Sequence, residues 1–159
     1  MKIPIEIEKI RDPDGVSRLR ATVSLSYAIA DSSLNRQLVD IQQRYRDIVE
    51  TCRSLLTRIR KDRKTRGDPI LKWDLSDTIY RFLRSTEESD FALVNLAQSL
   101  SRDLGMSVSQ VNYLIEFRLA YPKIELIHKE ISWDKYKELL DIADNSDRRI
   151  VTSKILEHE

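Results

Sequence analysis

The sequence predicts a mainly α fold: an N-terminal β-hairpin, one long helix, then a compact helical region with a helix-turn-helix. Three patterns point there. Apolar residues alternate with a period of two up to about residue 27, then recur at helical spacing along one uninterrupted stretch, then fall into short helical stripes parted by glycine, proline and capping residues. The expected divisions are 1–30 for the hairpin, 31–67 for a long amphipathic basic helix and 68–159 for a helical domain. Within the last, the helix-turn-helix is expected at 91–119.

The hairpin rests on alternation. Ile3, Ile5 and Ile7 lie on one side of the first strand, Glu6 and Glu8 on the other. Asp12–Gly15 reads as a turn, with Pro13 presetting φ and Gly15 tolerating positive φ. Leu19, Ala21, Val23, Leu25 and Tyr27 then alternate with polar residues as the second strand. Two strands alone are marginal in water, so this pair must pack on helices or meet another copy.

From Ser32 to Arg66 the periodicity is helical, with Ser32 or Ser33 as cap and Gly67–Pro69 as stop. Leu34, Leu38, Ile41, Tyr45, Ile48, Cys52, Leu55 and Ile59 follow spacings of four and three, the seam of a coiled-coil dimer. Val49 and Leu56 widen that seam in its second half toward the stripe of a helix buried in a bundle. Both readings stay open on sequence grounds.

Shorter helices are expected beyond Pro69. Asp68 caps one burying Leu71, Leu75, Ile79, Phe82 and Leu83. The acids of Ser85–Asp90 suit the first turn of another, which buries Phe91, Val94, Ala97, Leu100 and Leu104 and closes at Gly105. Ser107 opens the next, holding Val111, Leu114, Ile115 and Leu119 and stopping before Pro122. A short helix carrying Ile124, Ile127 and Ile131 follows. Ser132 caps another with Trp133, Tyr136, Leu139 and Leu140, and a final helix holds Ile150, Val151 and Ile155.

Composition narrows the function. With 27 Lys+Arg against 26 Asp+Glu, overall charge names no partner, and any polyanion binding must come from local clustering. A single cysteine, Cys52, excludes an intramolecular disulfide and a multi-cysteine metal site. No window approaches the ~20 consecutive apolar residues of a membrane span, so the expected protein is soluble and cytoplasmic. The glycines sit at turns and helix ends, leaving no phosphate-cradling loop. His128 and His158 lack metal-ligand spacing, and Cys52 lies on the apolar seam without an activating neighbour. No catalytic group, metal or cofactor is expected.

The first positive signal is "LSRDLGMSVSQVNYLIEF" (Leu100–Phe117), a helix, a glycine turn and a second helix. Ser101 supplies the small residue between the helices and Gly105 the turn. The second helix offers Ser107, Ser109, Gln110, Asn112 and Tyr113 as candidates to contact base edges. Charge argues the other way: residues 86–125 carry three cations against six acids. The second signal lies in the long helix, where "RIRKDRKTR" places Arg58, Arg60, Lys61, Arg63, Lys64 and Arg66 beside one acid. These are candidates for phosphate contacts, or else cations that complement a helix C-terminus and solvate it.

"LKWDLSDTI", "LAQSLSRDLGMSVSQVNYLIEFRLAYP" and "ISWDKYKELLDIADNSDRRIVTSKILEHE" together resemble the N-terminal helical domain of the YhcG-like family. The family's "YLAYP"-type motif matches Leu119–Pro122, its "LSWSHY…LL" helix matches Ile131–Leu140, and its charged final helix matches Arg148–Glu157. The resemblance covers roughly residues 70–159. It implies a helix-turn-helix-like fold and a role in DNA processing or in defence against foreign DNA. Family members usually continue into a PD-(D/E)XK nuclease domain. This sequence stops where that domain would begin, and its Asp62–Lys64 triplet lies in the basic helix, so nuclease chemistry is not carried over. Lys135 stands where the family motif has histidine.

The leading expectation is a non-enzymatic DNA-binding protein, with a homodimer through the Leu34–Ile59 seam. The alternative is an interaction module whose long helix and hairpin dock a protein partner, for example a separate nuclease subunit.

Overall fold

The computed structural model describes residues 2–8, 18–21, 32–61, 67–142 and 145–157, with the backbone alone described at 18–21, 32 and 145. The fold is mainly α, as the sequence predicts. Strand β1 (Ile3–Glu8) pairs antiparallel with β2 (Arg18–Ala21), Ile5 opposite Ala21 and Ile7 opposite Leu19. Ile5 and Ile7 are buried and Glu6 is exposed, the two-residue period at work. The Asp12–Gly15 turn and the expected continuation to Tyr27 lie outside the described residues.

Helix α1 (Ser32–Lys61) carries the long stripe. Ile41, Tyr45, Cys52 and Ile59 are buried in the chain's own core together with Val49 and Leu56, and Leu34, Leu38, Ile48 and Leu55 are packed against that core. All eight seam residues are thus buried in, or packed against, the core of the same chain, as the bundle alternative expects. The widening by Val49 and Leu56 agrees with this, because an enclosed helix needs a broader stripe than a two-stranded seam. Burial pushes the Cys52 thiol up to about 12, consistent with a small hydrophobe rather than a nucleophile.

Helix α2 (Pro69–Glu87) starts where expected, Pro69 at its first turn and the Asp68 carboxylate accepting from the Ile70 N–H at 2.9 Å. It then runs through Glu87, past the point where a new helix was expected to begin. The next element is a strand, β3 (Phe91–Leu93), parallel to β1 with Phe91 opposite Ile3 and Leu93 opposite Ile5. The sheet order is β2-β1-β3. The Ile3 N–H donates to the Asp90 carbonyl at 2.8 Å and the Val94 N–H to the Ile5 carbonyl at 3.1 Å. Asn95 extends the link, its side chain accepting from the Ile7 N–H at 2.8 Å and donating to the Ile7 carbonyl at 3.1 Å. A four-residue apolar run is too short for its period to separate strand from helix. Pairing with a segment distant in sequence settles it, and Val94, expected in the core, is 54% exposed.

The helix pair is correspondingly shorter than 91–119 implied at its start. Helix α3 (Leu96–Leu104) ends at Gly105, whose φ of 65° is the left-handed cap that glycine adopts without strain. Helix α4 (Val108–Ala120) follows and stops before Pro122. The expected short helix through Ile131 reduces to a 3₁₀ turn, Ile124–Leu126, with Ile127 and Ile131 buried outside it. Helix α5 (Trp133–Leu140) is capped by Ser132, whose hydroxyl accepts from the Lys135 N–H, and α6 (Asn145–Glu157) completes the chain order. Ile150 and Val151, expected on the apolar side of α6, are exposed, while Ile155 packs on the core.

One core joins these elements, from Ile5 and Ile7 through Tyr45, Ile79, Phe91, Leu100 and Leu114 to Tyr136. Tyr45 donates its hydroxyl to the buried Asp103 carboxylate, and the Arg53 guanidinium donates to the Asp103 carbonyl at 3.2 and 3.1 Å. These bonds fix α3 against the middle of α1. Burial, then the Asp103 hydrogen bond, push the Tyr45 phenol well above its ordinary value.

Ile41→Asp distinguishes the intramolecular stripe from a dimer seam. It sets an unpaired charge in the core and is expected to destabilise the chain by more than about 4 kcal/mol, read as loss of the cooperative transition in denaturant. A folded monomer appearing from a wild-type dimer by light scattering would contradict the packing described.

Candidate nucleic-acid interface

The two halves of the expected interface are held apart. Helix α4 lies along α2 through its C-terminal end. Arg118 Nε meets Asp77 Oδ1 at 2.9 Å, and the Trp73 indole N–H donates to the Tyr121 carbonyl at 2.8 Å. The end of α4 therefore sits beside the first turns of α2. Its start, with Ser107, is about 20 Å away, since thirteen residues rise 1.5 Å each.

At that start, two of the five base-contact candidates already have structural roles. The Ser107 hydroxyl accepts from the Gln110 N–H at 3.1 Å, and the Gln110 side-chain oxygen accepts from the Ser107 N–H at 3.0 Å. This is a complete capping box. Ser109, Asn112 and Tyr113 line a shallow cleft of about 210 Å³ with Glu116 of the same helix and Asp141 at the end of α5. Ser109, Asn112 and Glu116 are exposed and Tyr113 is half-buried. The cleft offers two carboxylates where an approaching duplex presents phosphates. Leu119, expected as a core anchor, is 62% exposed on the same helix.

The basic half lies at the other end. Arg58, Arg60 and Lys61 are exposed on the last turn of α1. Arg63, Lys64 and Arg66 lie outside the described residues. Burial and the neighbouring Asp77 push the Asp74 carboxyl up, against the opposing charge of Arg58.

Two further cations meet there that sequence reading did not select. Lys72 Nζ lies 5.6 Å from the centre of the Trp133 ring, and the Trp133 N–H donates to the Gly67 carbonyl at 3.2 Å. Lys137, one turn beyond Trp133, pairs with Asp134 at 3.1 Å. Burial lowers the Lys72 ammonium, and the charges of Lys137 and Arg60 lower it further against the opposing Asp134. No local pattern announces this grouping, because each lysine belongs to a different amphipathic helix and only the tertiary fold joins them. Among the described residues no cluster of three or more His, Cys, Asp or Glu side chains is arranged to hold a metal ion, and no helix is long and apolar enough to cross a membrane.

Ser107→Ala tests the capping role. It is expected to lower stability by about 1 kcal/mol in denaturant unfolding. Unchanged stability would return Ser107 to the pool of side chains available for ligand contact.

Among known proteins, no family model, no curated protein and no solved structure matches this chain, so the YhcG-like resemblance rests on the quoted motifs alone.

Proposed function

We propose that the chain is a non-enzymatic DNA-binding protein that holds a duplex through its phosphates, at the basic end of α1, without reading bases through α4. The observation that carries this reading is the exposed turn of Arg58, Arg60 and Lys61, continued in sequence by Arg63, Lys64 and Arg66. Cations gathered at one helix end can neutralise phosphates of a duplex, and releasing the duplex's counterions supplies sequence-independent affinity. The acidic cleft on α4 and the capping box at its start count against base readout. A link to DNA processing or defence follows from the family resemblance. The acidic cleft favours a second reading, in which α4 and α5 meet a protein partner and the basic turn keeps α1 solvated.

Fluorescence anisotropy with a labelled random-sequence duplex separates the two. Wild-type affinity is expected to fall at least about tenfold between roughly 50 and 200 mM salt. The triple variant Arg60→Glu, Lys61→Glu and Lys64→Glu is expected to lose binding while keeping its unfolding transition. No wild-type binding at low salt would overturn the DNA reading and turn the search to protein partners.

A further inference from the structure

The starts of α2 and α5 bring two lysines to one buried indole, with a single carboxylate, Asp134, paired to one of them. Lys72 is half-buried, with its ammonium over the face of Trp133, and Trp133 is itself 9% exposed and so acts as a floor. The Trp133 backbone N–H donates to the Gly67 carbonyl and so ties the start of α5 to the residues just before α2. Lys137 stands one helical turn away on α5 and Arg60 ends α1. Lys137 keeps one carboxylate partner, Asp134. Among the described residues Lys72 makes no ion pair, and the positive charges of Lys137 and Arg60 both act on it.

We propose that Lys72 and Lys137, on either side of the Trp133 ring, form a phosphate-binding notch that receives a phosphodiester of the bound DNA. This rests on the DNA-binding reading above and extends its contact surface from α1 onto α2 and α5. An anionic oxygen in the notch offsets the mutual repulsion of the two lysines, which free solvent screens poorly at a half-buried group. The Trp133 ring holds Lys72 in place before the anion arrives, so less side-chain freedom is lost on binding. The notch lies at the C-terminal end of α4, so a duplex seated there runs past the basic turn of α1 and leaves the Asn112–Glu116 cleft uncovered.

The test is the salt dependence of duplex binding by Lys72→Gln, Lys137→Gln and the double variant, with Lys72→Arg as the charge-retaining control and thermal unfolding recorded for each. Removing each lysine is expected to weaken binding and reduce the slope of log K against log salt by about 0.9, and Lys72→Arg is expected to bind as wild type does. Lys137→Gln lies on the partly exposed side of α5 and stays informative if Lys72→Gln unfolds. Wild-type slopes in the lysine variants, beside lost binding in the α1 triple variant, would overturn the notch and leave the DNA reading standing. No binding by wild type would overturn both.

Discussion

Arg118 governs how the rest of the helical body is arranged. Its guanidinium meets Asp77 at 2.9 Å and lies 4.2 Å from the centre of the Tyr80 ring and 5.4 Å from that of Trp73, so three residues of α2 hold one residue of α4. A pair this enclosed adds little net stability over apolar packing, and Asp77 also pairs with Arg81 at 2.9 Å. The effect of Arg118 is orientation. With Arg118 locked against the first half of α2, α4 must run antiparallel to it, and the start of α4 points away from the joint where α1 ends.

That orientation has an electrostatic consequence. Arg118 is the one cation in the sequence of α4, and the fold turns it inward, so the solvent face of the helix keeps Glu116 and gains Asp141 from α5. Helix α5 bridges the two regions, with Trp133 at the cationic joint and Asp141 at the acidic cleft. The molecule is near neutral in sum but carries its charges at two separate places. Two helices joined at a left-handed glycine are present, the second opened by a capping box.

Much of the fold was legible in the sequence because local chemistry fixes it. Asp68, Gly105, Ser107 and Ser132 each end or begin a helix through bonds made within a few residues, and the Ile3–Ile5–Ile7 alternation is equally local. β3 was not legible, since "FALV" fits either period and its strand identity comes from β1. The α1 stripe was ambiguous for a related reason: the same spacing serves a second copy or the chain's own core, and only the packing of Val49 and Leu56 separates them. For the site, the basic run could be read directly, but Ser107 and Gln110 could equally be caps or contacts until their reciprocal bonds were seen. Lys72 and Lys137 gave no signal at all, because their proximity is a product of α2 and α5 meeting.

On the proposed reading the joint of α1, α2 and α5, rather than the face of α4, meets DNA. The measurement to make is amide hydrogen exchange of the full chain, with and without a saturating duplex at low salt. Added protection is expected over 58–72 and 132–137 and none over 109–116. Protection concentrated on 107–116, with the α1–α2 joint unchanged, would contradict it and restore α4 as the reading helix.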